Sequence, residues 1–306
     1  MNYLVTGASG FVGTHLVNAL TKSGHSVVGI GSTRPQTSGA IYKQIDLLDE
    51  LAVKKLDLKS FDGIFHLAGL AKVGDSFQHP FRYVQANAGI QINLFQACIA
   101  QQVFPKVLII SSGSIYGAAS LPVTEDSPIE PNSPYAVSKL TQEQLGAYYR
   151  HRGFKVIVAR PFNHIGPGQD VGMIVADLAK QLATAEQQKS ITTITTGDLS
   201  AKRDFTDVRD IVQAYLRLME KGQDGETYNV CSGASHSGQE ILSHLLAVSS
   251  VKLTQKTDPG LVRPVEVPNI YGDYQKLHRD TGWKPAIPIE QTLNDVLADW
   301  RQRLAA

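Results

Sequence analysis

Gly7-Ala8-Ser9-Gly10-Phe11-Val12-Gly13 follows a short apolar run, Tyr3–Thr6, and leads into a stretch with helical spacing, Phe11–Ser23. Glycines between a buried strand and a helix allow a tight turn and let backbone N–H groups approach an anion at the helix N-terminus. In that context the pattern reads as a cradle for a dinucleotide pyrophosphate. Taken alone it is weak, because any tight turn into a helix favours glycine. Further along, Tyr135-Ala136-Val137-Ser138-Lys139 puts a phenol and an ammonium one helical turn apart. The two motifs, in this order, point to redox chemistry on a nicotinamide cofactor with a tyrosine as the proton-transfer group.

Outward from the loop, Ser26–Ile30, Gly63–Leu67, Lys106–Ser111 and Lys155–Ala159 are further short runs rich in Val, Ile and Leu. They read as parallel strands buried on both faces. Phe11–Ser23, Pro80–Gln101 and Pro134–Arg152 are long enough for crossover helices. The alternation implies an α/β fold: a Rossmann-like doubly wound parallel sheet with a smaller C-terminal substrate lobe. Ligands then bind where the strand C-termini open onto one edge. After Arg160, glycine and proline punctuate Pro161–Gly168, and prolines recur from Pro259 to Pro288. Residues 1–160 are thus expected to form the NADP-binding domain. Residues 161–306 are expected to be mainly the substrate lobe, interleaved with the last strands of the first domain.

An NAD-preferring site places an acid at the end of the second strand to hold the ribose 2′-hydroxyl. Here the stretch is Gly29-Ile30-Gly31-Ser32-Thr33-Arg34, without a carboxylate. Ser32 and Arg34 could bind a 2′-phosphate, which favours NADP(H) and leaves NAD(H) possible; a lone arginine is also often just a solvated loop residue. Asp46, with Leu47 beside it, is placed to meet the adenine, though Asp46 could instead cap the next helix. Leu67 and Ala68 end a strand where small residues let a cofactor pass.

Ser133 is a good N-cap and Pro134 a good first helical residue, so Tyr135 and Lys139 fall in the first turns of a helix. A free tyrosine has a pKa of about 10. A nearby ammonium and a helix N-terminus both favour phenolate, so the expected pKa lies closer to neutral. Such a phenol can protonate a carbonyl oxygen during hydride delivery. Ser112, at the end of the Lys106–Ser111 run, could hold that oxygen. Ser111 and Ser114 read more simply as serines satisfying local backbone.

Composition narrows the classes. The 306 residues carry 29 basic and 28 acidic side chains, a net charge of +1, which supports neither nucleic-acid binding nor adhesion to an anionic membrane. Two cysteines, Cys98 and Cys231, give neither a disulfide framework nor a metal site. No basic segment or signal-type apolar stretch precedes Tyr3, and no run is long enough to span a bilayer. The expectation is a soluble cytoplasmic protein.

With Arg160-Pro161-Phe162-Asn163, Arg203–Asp210 and Tyr228-Asn229-Val230 added in order, the chain resembles the extended short-chain dehydrogenase/reductase family (the NAD-dependent epimerase/dehydratase type) over essentially its whole length. Asn163–Gln169 and Arg263–Pro268 are most similar to the loops of GDP-4-keto-6-deoxy-D-mannose reductases. The resemblance implies Ser112, Tyr135 and Lys139 as catalytic residues, with Tyr135 and Lys139 also touching the cofactor. It implies Asn163, Arg203 and Arg263 as nucleotide-diphosphate contacts, and guanidinium forks suit a diphosphate. For Arg203 an ion pair with Asp204 or Asp207 is the plain alternative. His164 could meet cofactor or substrate. Ser114, Lys180 and Glu266 are further substrate-side candidates, the last two carried mainly by the resemblance.

Three chemistries compete on this scaffold. A 4,6-dehydratase needs an acid and a base besides the tyrosine; relatives of that kind carry acidic side chains just after the serine, where this chain has Gly113 and Ser114, so dehydration is disfavoured. A 4-epimerase retaining NAD would use the same trio. A 4-keto reductase needs only a bound NADPH, a proton donor and a carbonyl clamp, and is the preferred reading: reduction of GDP-4-keto-6-deoxy-D-mannose to GDP-D-rhamnose, or to its C4 epimer. From another class, a non-catalytic dinucleotide sensor ranks last, since the trio is intact. Relatives commonly pair as homodimers through the two helices matching Pro80–Gln101 and Pro134–Arg152. Ile90, Leu94, Leu140, Leu145 and Tyr148 are the candidate apolar face.

Overall fold

A computed structural model describes residues 1–33, 40–261 and 267–305. Arg34, Arg263 and Glu266, named above as candidate ligand contacts, lie outside the described residues. The strands are β1 (Asn2–Thr6), β2 (Ser26–Gly31), β3 (Ile41–Gln44), β4 (Gly63–His66), β5 (Lys106–Ile110), β6 (Lys155–Pro161), β7 (Asn163–Ile165), β8 (Thr193–Thr196), β9 (Lys202–Asp207), β10 (Thr227–Val230), β11 (Ser235–Ser237), β12 (Thr254–Thr257) and β13 (Asn269–Ile270). The helices are α1 (Phe11–Lys22), α2 (Glu50–Lys54), α3 (Val73–Gln78), α4 (Pro80–Ala100), α5 (Pro134–Arg150), α6 (Ile174–Gln187), α7 (Val208–Lys221), α8 (Gly238–Val248), α9 (Gln275–Thr281) and α10 (Ile289–Ala305).

Seven strands form one sheet in the order β10-β6-β5-β4-β1-β2-β3, and every pairing in it is parallel. Such a sheet must be covered on both faces. Alternate residues of the central strands supply the two layers. Val5, Phe65 and Leu108 pack with Leu16 of α1 and Ile211 and Leu218 of α7. Leu4, Ile64 and Val107 face the other way, onto Leu94 and Phe95 of α4 and Tyr149 of α5. A separate apolar cluster joins α6, α8 and α10 through Leu178, Leu182, Leu245 and Trp300. After Pro161 the chain leaves the sheet, builds β7 to β9, and returns through α7 to add β10 at the edge.

Strand order reverses between β1 and β4, which opens a crevice at their C-terminal ends. Register brings Thr6 opposite His66, and His66 opposite Ile109. The helix that starts at this edge, α5, is fixed against α4 by apolar and polar contacts. Phe95 and Tyr149 stack at 4.3 Å between ring centroids, a contact worth about 0.5–1.5 kcal/mol beyond area burial. Beside it runs a polar seam: Asn87 Nδ2 donates to Ser138 Oγ at 2.8 Å, Gln91 Nε2 to the Gln142 carbonyl at 2.9 Å, and Gln142 Nε2 to the Asn87 carbonyl at 3.1 Å.

The glycine loop is held by close approach. Gly7 has φ +69°, and a Cβ there would lie 2.9 Å from the Ala68 nitrogen. A Cβ on Gly13 would sit 2.1 Å from the Gly7 oxygen, so only glycine lets α1 start this close to the loop that leaves β1. Gly13→Ala should therefore lower the unfolding free energy by about 1–3 kcal/mol in urea denaturation. Gly10→Ala, whose Cβ meets only the Gly7 oxygen at 3.3 Å, should fold nearly as well. Equal stabilities for the two variants would remove the close-approach argument.

Candidate active site

The N-terminus of α1 can receive an anion. Its N-cap is Gly10, no side chain caps its first-turn amides, and no acid lies in that turn. Phe11 and Val12 thus present backbone N–H groups without a protein partner from a cap, as a pyrophosphate requires. At the end of β2 the space beside Gly31 is taken by two side chains: a Cβ there would lie 2.3 Å from the Tyr42 hydroxyl and 2.7 Å from Ser9 Oγ, so an acid would have to displace them. Tyr42 donates to the Thr33 carbonyl, and Gln44 Nε2 to the Ser32 carbonyl at 2.9 Å. Ser32 and Thr33 are exposed. The sequence reading missed Tyr42, whose role depends on the β2–β3 register, Gly29 opposite Tyr42. Asp46 does not cap α2. That is Asp49, which accepts from Leu51 N and Ala52 N, while Asp46 accepts from Leu48 N at 2.9 Å and stays exposed, with Leu47 buried beside it. Leu67 and Ala68 follow β4, and Ala68 N donates to Thr6 Oγ1 at 3.2 Å.

At the start of α5, Ser133 Oγ accepts from Ala136 N at 3.1 Å and Pro134 opens the helix, as sequence reading expects. Tyr135 and Lys139 are both buried, at 9% and 5% exposure, with the ammonium 6.0 Å from the Tyr135 ring centroid. Lys139 Nζ donates to the Ile110 carbonyl at 2.9 Å and to Gln142 Oε1 at 3.0 Å. The titration behaviour corrects the sequence expectation. Burial pushes the Tyr135 phenol up, not toward neutral, and the Ser112 hydroxyl opposes it. Burial also pushes Lys139 down to about 8, against the pull of Glu143. The ammonium spends its donors on the strand end and the next helical turn, so it does not offset the desolvation of the phenol.

Ser112 caps a single 3-10 turn, Gly113–Tyr116. Ser114 donates its hydroxyl to Ser112 Oγ at 2.9 Å and Ser111 donates to Glu143, so the Ser112 hydroxyl hydrogen is left to face Tyr135, whose rise it opposes. A Cβ on Gly113 would meet the Phe162 ring at 2.9 Å, so this position has no space for an acid. Next to the trio, His66 is buried, with Nδ1 2.9 Å from Thr6 Oγ1. Burial and then Lys139 push it down to about 3, so it is neutral. Asn87, which also donates to the Leu70 carbonyl and accepts from Leu70 N, ties the loop after β4 to α5. Neither His66 nor Asn87 carried a sequence signal, because each acts through neighbours distant in the chain.

From the second half, His164 reaches the glycine loop: its ring stacks on Phe11 at 6.2 Å. Its Nδ1 lies 3.1 Å from the Phe162 carbonyl, which can only accept, so Nδ1 carries the hydrogen; burial pushes its pKa down. Asn163 is exposed on β7, paired opposite Phe205. Lys180 is exposed on α6 with its ammonium 5.6 Å from the Trp300 ring centroid on α10. No cluster of metal-ligating side chains occurs among the described residues.

The ion pair considered for Arg203 does not form. Asp204 accepts from Ser232 N, Ser232 Oγ and Gly233 N. Asp207 takes Arg209, with Nη2 at 2.6 Å. Arg203 donates to the Lys202 carbonyl at 2.8 Å and has no carboxylate partner among the described residues. Arg203→Ala should thus change stability by no more than about 0.5 kcal/mol. Arg209→Ala, which strips a charged partner from buried Asp207, should cost about 1–3 kcal/mol. Thermal unfolding of both variants gives the ranking, and the reverse order would assign Arg203 a structural role.

A model of the NAD dependent epimerase/dehydratase family matches residues 3–231. A "GDP-6-deoxy-D-mannose reductase" of Pseudomonas aeruginosa is 39% identical over 304 residues, covering 98% of this chain and 97% of the relative. A UDP-glucose 4-epimerase of Caenorhabditis elegans is 29% identical over 346 residues, covering 99% and 98%. Among solved structures, RMD from Pseudomonas aeruginosa complexed with NADPH has a TM-score of 0.88 at 37% identity, covering 99% of both chains. A UDP-glucose 4-epimerase from Thermotoga maritima with UDP-glucose has a TM-score of 0.89 at 28% identity, covering 99% of this chain and 100% of its own. With a glycine cradle at the sheet's switch point, a buried Tyr-Lys pair on α5 and these full-length likenesses, the chain belongs to the NAD-dependent epimerase/dehydratase family.

Proposed function

We propose that this protein is an NADPH-dependent nucleotide-sugar 4-keto reductase acting on GDP-4-keto-6-deoxy-D-mannose. The observation that carries the reading is the near full-length similarity, at 39% identity, to the Pseudomonas aeruginosa reductase. The site supports it in two ways. Gly113, crowded by Phe162, leaves no room for the acid a dehydratase needs there. Tyr42 fills the place of the acid that would hold an NAD ribose, which favours NADPH while NADH stays usable.

Phe11 and Val12 amides would hold the pyrophosphate of a bound dinucleotide, and the exposed Ser32 would meet its adenosine ribose. When bound, the reduced dinucleotide supplies the hydride that goes to the sugar C4. Ser112 Oγ donates to the C4 oxygen, and Tyr135 gives its proton to that oxygen as charge develops on it. The Lys139 ammonium, with two donors committed to Ile110 and Gln142, would turn its third toward the nicotinamide ribose and orient it. Arg203 and Asn163 meet the diphosphate. Residues 1–160 supply the dinucleotide half of the site, and residues 161–306 mainly the substrate half.

No described helix is long and apolar enough to cross a membrane. Together with two free, buried cysteines, this supports action in the reducing cytoplasm. We further propose a homodimer through α4 and α5. Phe81 (76% exposed), Tyr148 (49%) and Val137 (41%) are apolar and open on these helices. Leu94 does not join them; it is buried within the subunit, while Ile90 and Leu145 are partly buried against the same core.

Mixing the protein with GDP-4-keto-6-deoxy-D-mannose and NADPH should consume NADPH and yield one GDP-6-deoxyhexose by NMR, with slower consumption of NADH. Absence of consumption, with UDP-sugars interconverted at C4, would shift the assignment to an epimerase. Tyr135→Phe should cut turnover severely and leave NADPH affinity nearly unchanged. Turnover should also fall as pH rises through about 8, where Lys139 loses its proton. Separately, Tyr148→Glu should convert a dimer to a monomer in sedimentation velocity; a wild-type monomer at micromolar concentration would exclude the pairing.

A further inference from the structure

Positions 135, 139 and 143 are four apart on α5, so Glu143 continues the stripe that carries Tyr135 and Lys139. It is buried, as is Arg160 at the end of β6. Arg160 grips the carboxylate with both edges of its fork, Nε to Oε1 at 2.9 Å and Nη2 to Oε2 at 2.8 Å. Ser111, the residue before Ser112, donates to the same Oε1. The remaining arm of Arg160, Nη1, donates to the Tyr116 hydroxyl at 2.8 Å, and Tyr116 donates to Asn229 Oδ1 at 2.7 Å. One carboxylate therefore links the helix of Tyr135 and Lys139, the strand end that leads into Ser112, and the turn that follows it. An ion pair this deep contributes little net stability against its desolvation, and its place beneath the trio gives it a different use.

The titratable groups facing Lys139 are Tyr135 and Glu143 from its own helix and His66 from β4. Tyr135 and His66 are both neutral at physiological pH, so Glu143 is the anion that opposes desolvation of the ammonium. We propose that Glu143, clamped by Arg160 and Ser111, is a positioning residue for the reaction: it keeps the buried Lys139 charged and holds Ser111, and through it Ser112, in place. The kinetic part rests on the reductase reading. The cofactor part needs only that the dinucleotide binds beside Lys139.

Glu143→Gln keeps the shape and removes the charge. The pH at which kcat falls on the alkaline side should drop by about one unit, since an opposite charge nearby shifts a pKa by that order or more. KM for the sugar nucleotide should change less than about twofold, since uniform binding is untouched. NADPH affinity, followed by protein fluorescence across the same pH range, should show the same displaced limb. Because the variant leaves Arg160 buried and unpaired, Glu143→Met combined with Arg160→Met serves as a second variant. It should recover the melting temperature lost in the single variant yet keep the limb displaced. A limb at the wild-type pH in either variant overturns the proposal, as does a double variant that recovers both. Should the wild type bind NADPH but reduce no keto sugar, the reductase reading falls, and the NADPH-affinity limb still decides the role of Glu143.

Discussion

An ammonium inside a protein is costly unless hydrogen bonds and an opposite charge surround it, and this structure holds one at Lys139 with 5% exposure. Much of the surrounding architecture can be traced to that constraint. Two donors are taken by the Ile110 carbonyl at the end of β5 and by Gln142 one turn below. Gln142 is itself held by the Asn87 carbonyl on α4. Gly146 lets α5 lie close to the sheet, since a Cβ there would come 2.7 Å from Ile109 Cδ1. The anion that offsets the charge, Glu143, is pinned by an arginine from β6. The helix, the two strand ends and the neighbouring helix are thus mutually determined around one cation. Tyr135, one turn above, inherits its position from them.

The other half of the cleft works by leaving space empty. Gly7 and Gly13 allow the loop and helix to approach β1 and the Leu67–Ala68 backbone. Gly10 leaves the first turn of α1 uncapped. On β2, Gly29 and Gly31 give their space to Tyr42 and Ser9. The aromatic stack of Phe11 and His164 then joins this half to β7, which carries Asn163. Cofactor side and proposed substrate side are coupled by a contact between residues far apart in the chain.

Sequence spacing read the frame closely. Five strands were recognisable as apolar runs because a parallel sheet buries both faces, and β4 is buried at every position. Ser133-Pro134 announced the start of α5, since capping and a preset φ are local properties. The Tyr135–Lys139 pair was legible for the same reason. The spacing did not reveal the charge balance. Reading an ammonium beside a phenol suggested a phenol drawn toward neutral, whereas desolvation, a property of the packed site, moves Tyr135 up and Lys139 down. The Arg203 ion pair was equally plausible along the chain, and fails because Asp204 turns to Ser232 and Gly233 instead.

Sequence by itself therefore determined what depends on neighbours along the chain: strand and helix order, the glycine turn, the cap and the spacing of Tyr135 and Lys139. Family likeness of the later loops followed from the same local patterns. Tertiary structure alone decided which side chains share a site across distant strands. The Lys139 charge acts on His66, Glu143 meets Arg160 and Ser111, and Tyr42 closes the end of β2. It also decided what burial does to the charges there. The reason is physical: hydrogen-bonded turns and helical periodicity act over a few residues, while desolvation and ion pairing depend on every group packed nearby, whatever its place in the chain.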